Sequence, residues 1–107
     1  GDFILINLVK VIEKIMRKSD VFARVGGEEF TILLNDTSLN GAKIIAEKIR
    51  KTIEESSFIY NTIYIDLTIS IGISELNKEN VSIEDLYNKA DKELYIAKKN
   101  GRNRVFP

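Results

Sequence analysis

The feature that most constrains the fold is an alternating run over residues 63–74. Odd positions are aliphatic and even positions are polar, tyrosine or glycine: Ile63, Ile65, Leu67, Ile69, Ile71 and Ile73 against Tyr64, Asp66, Thr68, Ser70, Gly72 and Ser74. Successive side chains of a β-strand point to opposite faces, so this period of two predicts one long strand with a strongly apolar face. Only small residues lie on the polar face near its end, which would let a helix or a ligand approach closely.

Three amphipathic helices are predicted around this strand. Over residues 3–18, apolar residues recur every three or four positions, which is the spacing of one helix face. The same spacing predicts a second helix over residues 38–56. A third helix is predicted to begin at a capping box formed by Ser82 and Asp85 and to end at Gly101.

Short apolar runs predict the remaining strands. Residues 21–25 and 30–34 flank a Gly-Gly pair, which is typical of a tight hairpin, and residues 105–106 predict a short final strand. The resulting order is α-β-β-α-β-α-β. It indicates an α/β domain of the α+β sandwich type, in which helices flank a mostly antiparallel central sheet. The length of 107 residues fits one such domain.

The composition excludes several kinds of site. The chain has no histidine and no cysteine, so it contains no Ser-His-Asp triad, no disulfide and no Cys- or His-ligated metal. Oxygen ligands alone favour Mg²⁺, Mn²⁺ or Ca²⁺. The formal net charge is zero and the apolar runs are short, so we expect no nucleic-acid partner and no direct membrane insertion. A cytoplasmic location is compatible with this composition.

The predicted hairpin turn carries the candidate chemistry. Gly26 and Gly27 leave the backbone open to a ligand, and two carboxylates follow directly at Glu28 and Glu29. Backbone N–H groups beside carboxylates can hold a phosphate together with its Mg²⁺. From these residues alone, a plain surface turn with solvated glutamates is the alternative.

Several further short motifs occur at defined distances from this turn in the sequence: Gly1-Asp2, Ala23-Arg24, Thr68-Ile69-Ser70-Ile71-Gly72-Ile73, Ala90-Asp91, Leu94-Tyr95, Ala97-Lys98 and Gly101-Arg102-Asn103. Together with the turn they resemble the GGDEF family of diguanylate cyclases, in its Gly-Gly-Glu-Glu-Phe variant. One departure is Glu93, where the family more often has alanine. The resemblance covers essentially the whole chain and implies a fold like the palm domain of nucleotide cyclases.

The resemblance implies an activity and a set of site residues. Two GTP molecules would be joined into cyclic di-GMP across the interface of a homodimer, with Mg²⁺ or Mn²⁺ as cofactor. Glu28 would be a metal ligand that helps to deprotonate the attacking hydroxyl, and Glu29 a second acidic residue beside the metal. Gly26 and Gly27 would let the nucleotide lie against the turn, and Asp2 would accept from the N–H groups of guanine.

The resemblance also assigns two basic residues near the end of the third helix. Lys98 and Arg102 would bind GTP phosphates, and they share a helix face if the helix persists to Arg102. The alternative from the residues alone is that cations near a helix C-terminus interact with its dipole. For Phe30, we expect a core aromatic side chain that anchors its strand.

Arg17 and Asp20 form an R-x-x-D pattern just before the turn. In the family this pattern is the inhibitory site that binds the product, and Arg17 would stack on or pair with cyclic di-GMP while Asp20 fixes it. A solvated helix end is the alternative explanation of these charges.

Family domains carry an earlier strand with an aspartate metal ligand. The resemblance therefore implies that residues 1–107 are an N-terminally truncated domain that lacks this first strand and its helices, with little or no cyclase activity alone. A non-catalytic cyclic di-GMP receptor and a dimerisation module are the alternatives. The parent protein is expected to carry an upstream sensor domain, and an upstream segment could anchor it to a membrane.

Overall fold

The computed structural model describes residues 2–26, 29–76 and 82–107. Within these ranges it contains three helices, α1 (Asp2–Ile15), α2 (Leu39–Glu55) and α3 (Ile83–Lys99). The strands in the same ranges are β1 (Val21–Gly26), β2 (Glu29–Leu33), β3 (Phe58–Tyr60), β4 (Ile63–Ile65), β5 (Ile71–Gly72) and β6 (Val105–Phe106). None of the helices in these ranges has the length and apolar character needed to cross a bilayer.

The three predicted helices are present, and their ends have local causes. The side-chain oxygens of Ser38 and Ser82 accept hydrogen bonds from the backbone N–H groups of Gly41 and Asp85, at 3.1 and 3.0 Å. These caps begin α2 and α3 by satisfying amide groups that have no partner within the helix. The first helix ends at Ile15 rather than at residue 18, because the next residues form a turn closed by side-chain hydrogen bonds.

The prediction of one long strand over residues 63–74 is wrong. The run contains two short strands, β4 and β5, and no described strand pairs with residues 66–70. The two strands separate because they have different partners. β4 forms an antiparallel hairpin with β3, a strand that the sequence pattern missed, while β5 pairs in parallel with β6.

The described strands therefore form three two-stranded sheets, β1–β2, β3–β4 and β5–β6, of which the first two are antiparallel. The element order is α-β-β-α-β-β-β-α-β, with two strands more than predicted. The α+β class is as predicted, but among the described residues no continuous central sheet joins these pairs.

The hydrophobic core lies between α1, α2 and the strands. Its buried cluster consists of Leu8, Ile12, Ile49, Ile53 and Phe58. Aliphatic residues of the alternating run pack against this cluster even where no strand is formed, as Leu67 and Ile69 do. The period of two thus correctly predicted that Ile65, Leu67, Ile69 and Ile71 face the core, but Ile63, on the same predicted face, is 63% exposed.

Helix α3 lies directly on β5, because Gly72 has no side chain. A Cβ atom at Gly72 would lie 2.2 Å from the carbonyl oxygen of Ala90 and 2.2 Å from the amide nitrogen of Leu94. The neighbouring Ser74 hydroxyl donates to the carbonyl oxygen of Leu86 at 2.6 Å. The prediction that small residues here admit a close neighbour is confirmed, and α3 contacts both β5 and β6.

Candidate functional site

The predicted hairpin is confirmed, and its strand pairing is irregular next to the turn. Arg24 pairs with Phe30, and Gly26 pairs with Glu29, so β1 contains one extra residue. Such a bulge re-aims side chains and is frequent near functional sites. Gly27 and Glu28 lie outside the described residues. Within the described part, the pairing sets the exposed Glu29 opposite the backbone of Gly26.

Two aromatic residues attach this hairpin to the core. The rings of Phe22 on β1 and Phe30 on β2 stack with their centroids 5.2 Å apart. Both side chains pack against the buried cluster. The prediction that Phe30 is a core aromatic is confirmed. Glu29, the acidic residue at the start of β2, therefore lies directly before a residue that packs against the core.

The metal-ligand prediction for Glu28 and Glu29 stays a prediction. Over residues 2–26, 29–76 and 82–107, no three acidic side chains cluster closely enough to hold a metal ion. The described hairpin supplies one exposed carboxylate, Glu29, whose oxygens are the donor type that Mg²⁺ prefers. Asp2 is the first residue of α1, and its side chain lies outside the described part.

The condition under which Lys98 and Arg102 would share a helix face is not met. The helix stops at Lys99, so Lys98 and Arg102 do not share a helix face. The backbone N–H of Arg102 donates to the carbonyl oxygen of Ala97 at 3.0 Å, and that of Gly101 donates to Lys98 at 3.5 Å. These two bonds form a Schellman cap, with Gly101 in the left-handed region at a φ of 120°.

Both basic side chains are nevertheless open to solvent. Lys98 lies in the last turn of α3 and Arg102 just beyond it, and both are exposed. No hydrogen bond or ion pair links the side chain of either to another part of the described chain. An anion from solvent can reach both cations, while Lys98 also lies where the helix dipole favours a positive charge.

Asn103 forms a polar network that the sequence did not reveal. Its side-chain oxygen accepts from Arg50 Nη1 at 2.8 Å, and its side-chain nitrogen donates to a carboxylate oxygen of Glu54. Its backbone N–H donates to the hydroxyl of Ser70 at 3.1 Å. The Gly-Arg-Asn match marked this residue, but its partners lie 33 to 53 positions earlier in the chain.

Arg17 and Asp20 form an ion pair. Arg17 Nη2 lies 3.0 Å from Asp20 Oδ1, and the backbone N–H of Arg17 donates to Asp20 Oδ2 at 2.8 Å. The Asp20 side chain is 1% exposed and that of Arg17 is 49% exposed. Hydrogen bonds from Arg17 hold the pKa of the Asp20 carboxyl below its ordinary value, so the carboxylate stays charged and fixes the guanidinium.

Arg17 also contacts the loop after β2. Its Nη2 donates to the carbonyl oxygen of Asn35 at 3.0 Å and to the hydroxyl of Thr37 at 2.8 Å. The side chain of Asn35 donates back to the carbonyl oxygen of Ser19 at 2.7 Å. The sequence indicated neither partner. A surface pocket of about 390 Å³ opens here, lined by Glu13, Met16, Arg17, Lys18, Asp20 and Phe22.

The chain is similar to diguanylate cyclases along nearly its whole length. A family profile described as "Diguanylate cyclase, GGDEF domain" matches residues 1–104. Diguanylate cyclase A of Treponema denticola is 47% identical over 105 residues, which cover 98% of this chain and 28% of that protein. A diguanylate cyclase of Vibrio cholerae is 38% identical over 104 residues, covering 97% and 32%. The chain thus spans about a third or less of these relatives.

Solved structures show the same fold. The active GGEEF domain of a diguanylate cyclase from Vibrio cholerae matches with a TM-score of 0.87 at 38% identity, over 99% of this chain and 67% of that chain. The GGDEF domain of DgcB from Caulobacter crescentus, in complex with c-di-GMP, matches with a TM-score of 0.79 at 28% identity, over 92% and 59%. The predicted palm-like α+β class is confirmed.

Proposed function

The chain belongs to the GGDEF family, and from this premise we propose that it is the GTP-binding part of a diguanylate cyclase. In the proposed reaction, the 3′-hydroxyl of each GTP loses its proton and its oxygen bonds to the α-phosphorus of the other GTP. Pyrophosphate leaves from each nucleotide, and cyclic di-GMP is formed. The bulged β1–β2 hairpin carries the proposal, because it presents Glu29 opposite Gly26 on strands fixed by Phe22 and Phe30.

The residues divide the work of phosphoryl transfer, in which positioning and charge neutralisation dominate. Glu28 and Glu29 would hold Mg²⁺ or Mn²⁺, which when bound would neutralise charge on the triphosphate. The backbone of Gly26 and Gly27 lies against the nucleotide. Lys98 and Arg102 bind oxygens at the phosphate end of GTP. Asp2 accepts hydrogen bonds from the N–H groups of its guanine.

Two copies of the chain must face each other for this reaction, since each GTP attacks the other. We therefore propose a homodimer as the active form. Because the chain covers about a third or less of its relatives, we also propose that an upstream sensor domain controls the dimer. The isolated 107-residue chain is expected to have little or no cyclase activity. A two-metal site needs more carboxylates than the two neighbours in sequence, Glu28 and Glu29, can supply.

The test is synthesis of cyclic di-GMP by the whole protein with GTP and Mg²⁺. Replacing Glu28 or Glu29 with alanine should lower kcat by about 100-fold or more, because charge stabilisation at the phosphates is lost. Glu55→Ala is the matched control, since Glu55 is an exposed glutamate at the end of α2. Full activity in the Glu28→Ala and Glu29→Ala variants would rule out the proposed metal site.

Arg17 and Asp20 are proposed to bind the product and inhibit the enzyme. The exposed guanidinium, held by a fixed carboxylate beside a pocket, supports this role. In the same set of variants, calorimetry with cyclic di-GMP should detect binding to Glu28→Ala but not to Arg17→Ala. A whole protein that binds cyclic di-GMP through Arg17 and makes none from GTP would instead be a receptor.

A further inference from the structure

The backbone around Arg102 is held on both sides. Its own N–H bonds to the carbonyl oxygen of Ala97 in the helix cap, and the next N–H, of Asn103, bonds to Ser70. The carbonyl oxygen of Arg104 then accepts from the N–H of Ile71 at 3.0 Å, beside β5. Arg102 is thus an exposed side chain on a backbone that is fixed before and after it.

The conformation of this segment needs support from elsewhere in the fold. Arg102 and Asn103 have φ angles of 60° and 46°, in the left-handed region. Asparagine tolerates this region, but arginine disfavours it because its Cβ crowds the following carbonyl. The local sequence therefore does not explain why Arg102 adopts it.

The support comes from α2, through Arg50 and Glu54. Arg50 is 14% exposed, and its guanidinium bonds to Glu47 and to Asn103, with Glu54 at 3.4 Å. Glu54 in turn accepts from the side-chain nitrogen of Asn103. The carboxamide of Asn103 thus accepts from Arg50 and donates to Glu54, two residues that are one helical turn apart on α2.

We propose that Asn103, held by Arg50 and Glu54, is the positioning residue that fixes Arg102 for binding the phosphates of GTP. This inference rests on the proposed function of Arg102. Asn103 touches neither nucleotide nor metal in this role and acts only through the backbone that it shares with Arg102.

The network is charged throughout the neutral range, so it persists under assay conditions. The hydrogen bond from Asn103, followed by the charge of Arg50, holds the pKa of Glu54 below its ordinary value. The hydrogen bonds from Arg50 lower the pKa of Glu47 in the same way. Both carboxylates therefore remain ionised partners of Arg50.

The first test is a double-mutant cycle in the whole protein, read as kcat/KM for GTP. Asn103→Ala should lower kcat/KM about 10-fold when Arg102 is present and less than about 2-fold in an Arg102→Ala background. Asn40→Ala is the matched control, since Asn40 is an exposed asparagine in the first turn of α2, outside the proposed site. It should change kcat/KM less than about 2-fold.

The second test is a charge-swap rescue. Asn103→Asp keeps the acceptor for Arg50 but places a carboxylate against Glu54, so kcat/KM should fall. Adding Glu54→Gln restores a donor opposite the new carboxylate and should recover kcat/KM to within about 2-fold of the natural protein. If Asn103→Ala shows no cooperative unfolding transition, this pair decides the question, and failure to recover overturns the inference.

The outcomes separate the inference from the function on which it rests. If Arg102→Ala lowers kcat/KM and Asn103→Ala adds its full effect to it, positioning by Asn103 is wrong and the phosphate role of Arg102 stands. If Arg102→Ala leaves kcat/KM unchanged, the phosphate role itself is wrong. Cyclic di-GMP affinity at Arg17 should stay the same in all these variants.

Discussion

At the scale of single residues, Asp20 combines burial with charge. Its carboxyl has a lowered pKa because Arg17 donates hydrogen bonds to it, and its side chain is almost fully covered. A carboxyl whose pKa is lower in the folded chain stabilises the fold at pH values above its unfolded pKa. That contribution is lost as the pH falls through the folded pKa. The Arg17–Asp20 pair should therefore stabilise the protein at neutral pH and not in acid.

Arg17→Ala tests this pH dependence. The loss of unfolding free energy relative to the natural protein should be constant near neutrality and shrink as the pH falls below about 4, where an ordinary aspartate protonates. Urea unfolding between pH 3 and 7 measures it, and the lowered pKa values of Glu47 and Glu54 are common to both proteins and cancel. Lys18→Ala is the control. A loss that does not change with pH would contradict the assigned pKa shift.

At the scale of elements, the contact of α3 with β5 decides where the basic helix end lies. Gly72→Ala would set a Cβ against the backbone of α3, and backbone cannot turn aside as a side chain can. We expect a loss of about 1–3 kcal/mol in unfolding free energy, as for overpacked cores. Gly41→Ala is the matched control, because its Cβ would meet only the side chains of Thr37 and Ser38, at 3.1 and 3.4 Å. Equal effects of the two substitutions in chemical denaturation would argue against this packing.

The helices could be predicted from the sequence, whereas the pairing of the later strands, β3 to β6, could not. Helices α1, α2 and α3 were predictable because their periodicity is local, and α2 and α3 also begin at serine caps. The β3–β4 hairpin was missed because its turn, Asn61-Thr62, lacks the glycine that usually marks such turns, although both residues have positive φ angles. The long alternating run is split because its two halves pair with different strands, β3 and β6. The alternating pattern alone does not indicate these partners.

In the candidate site, too, local features were predictable from the sequence and long-range contacts were not. Arg17, Asp20 and the hairpin were predictable because each depends on residues close in sequence. The polar network of Asn103 was not predictable, since its partners Arg50 and Ser70 lie far from it in the sequence. Long-range polar contacts leave no periodicity in a sequence, so only the folded structure identifies them.

At the scale of the whole molecule, one buried cluster connects the acidic and the basic part of the candidate GTP site. The hairpin with Glu29 packs onto the cluster through Phe22 and Phe30, and Ile71 of β5 packs onto it as well. Helix α3 and its basic end are held in turn by β5 and β6. The relative placement of acid and base therefore depends on a core to which neither Glu29 nor Lys98 belongs.

Ile53→Ala tests the weight of that core. Ile53 is 0% exposed at the centre of the cluster, and removing its side-chain carbons should cost about 2–5 kcal/mol of unfolding free energy, through lost burial and the cavity left behind. Ile44→Ala on the same helix is the matched control, since Ile44 is 72% exposed and should change stability by less than about 1 kcal/mol. Thermal and urea unfolding of both variants measure the difference. Similar losses in the two variants would mean that α2 does not face the core as described, and the support that Arg50 and Glu54 give to Asn103 would lose its basis.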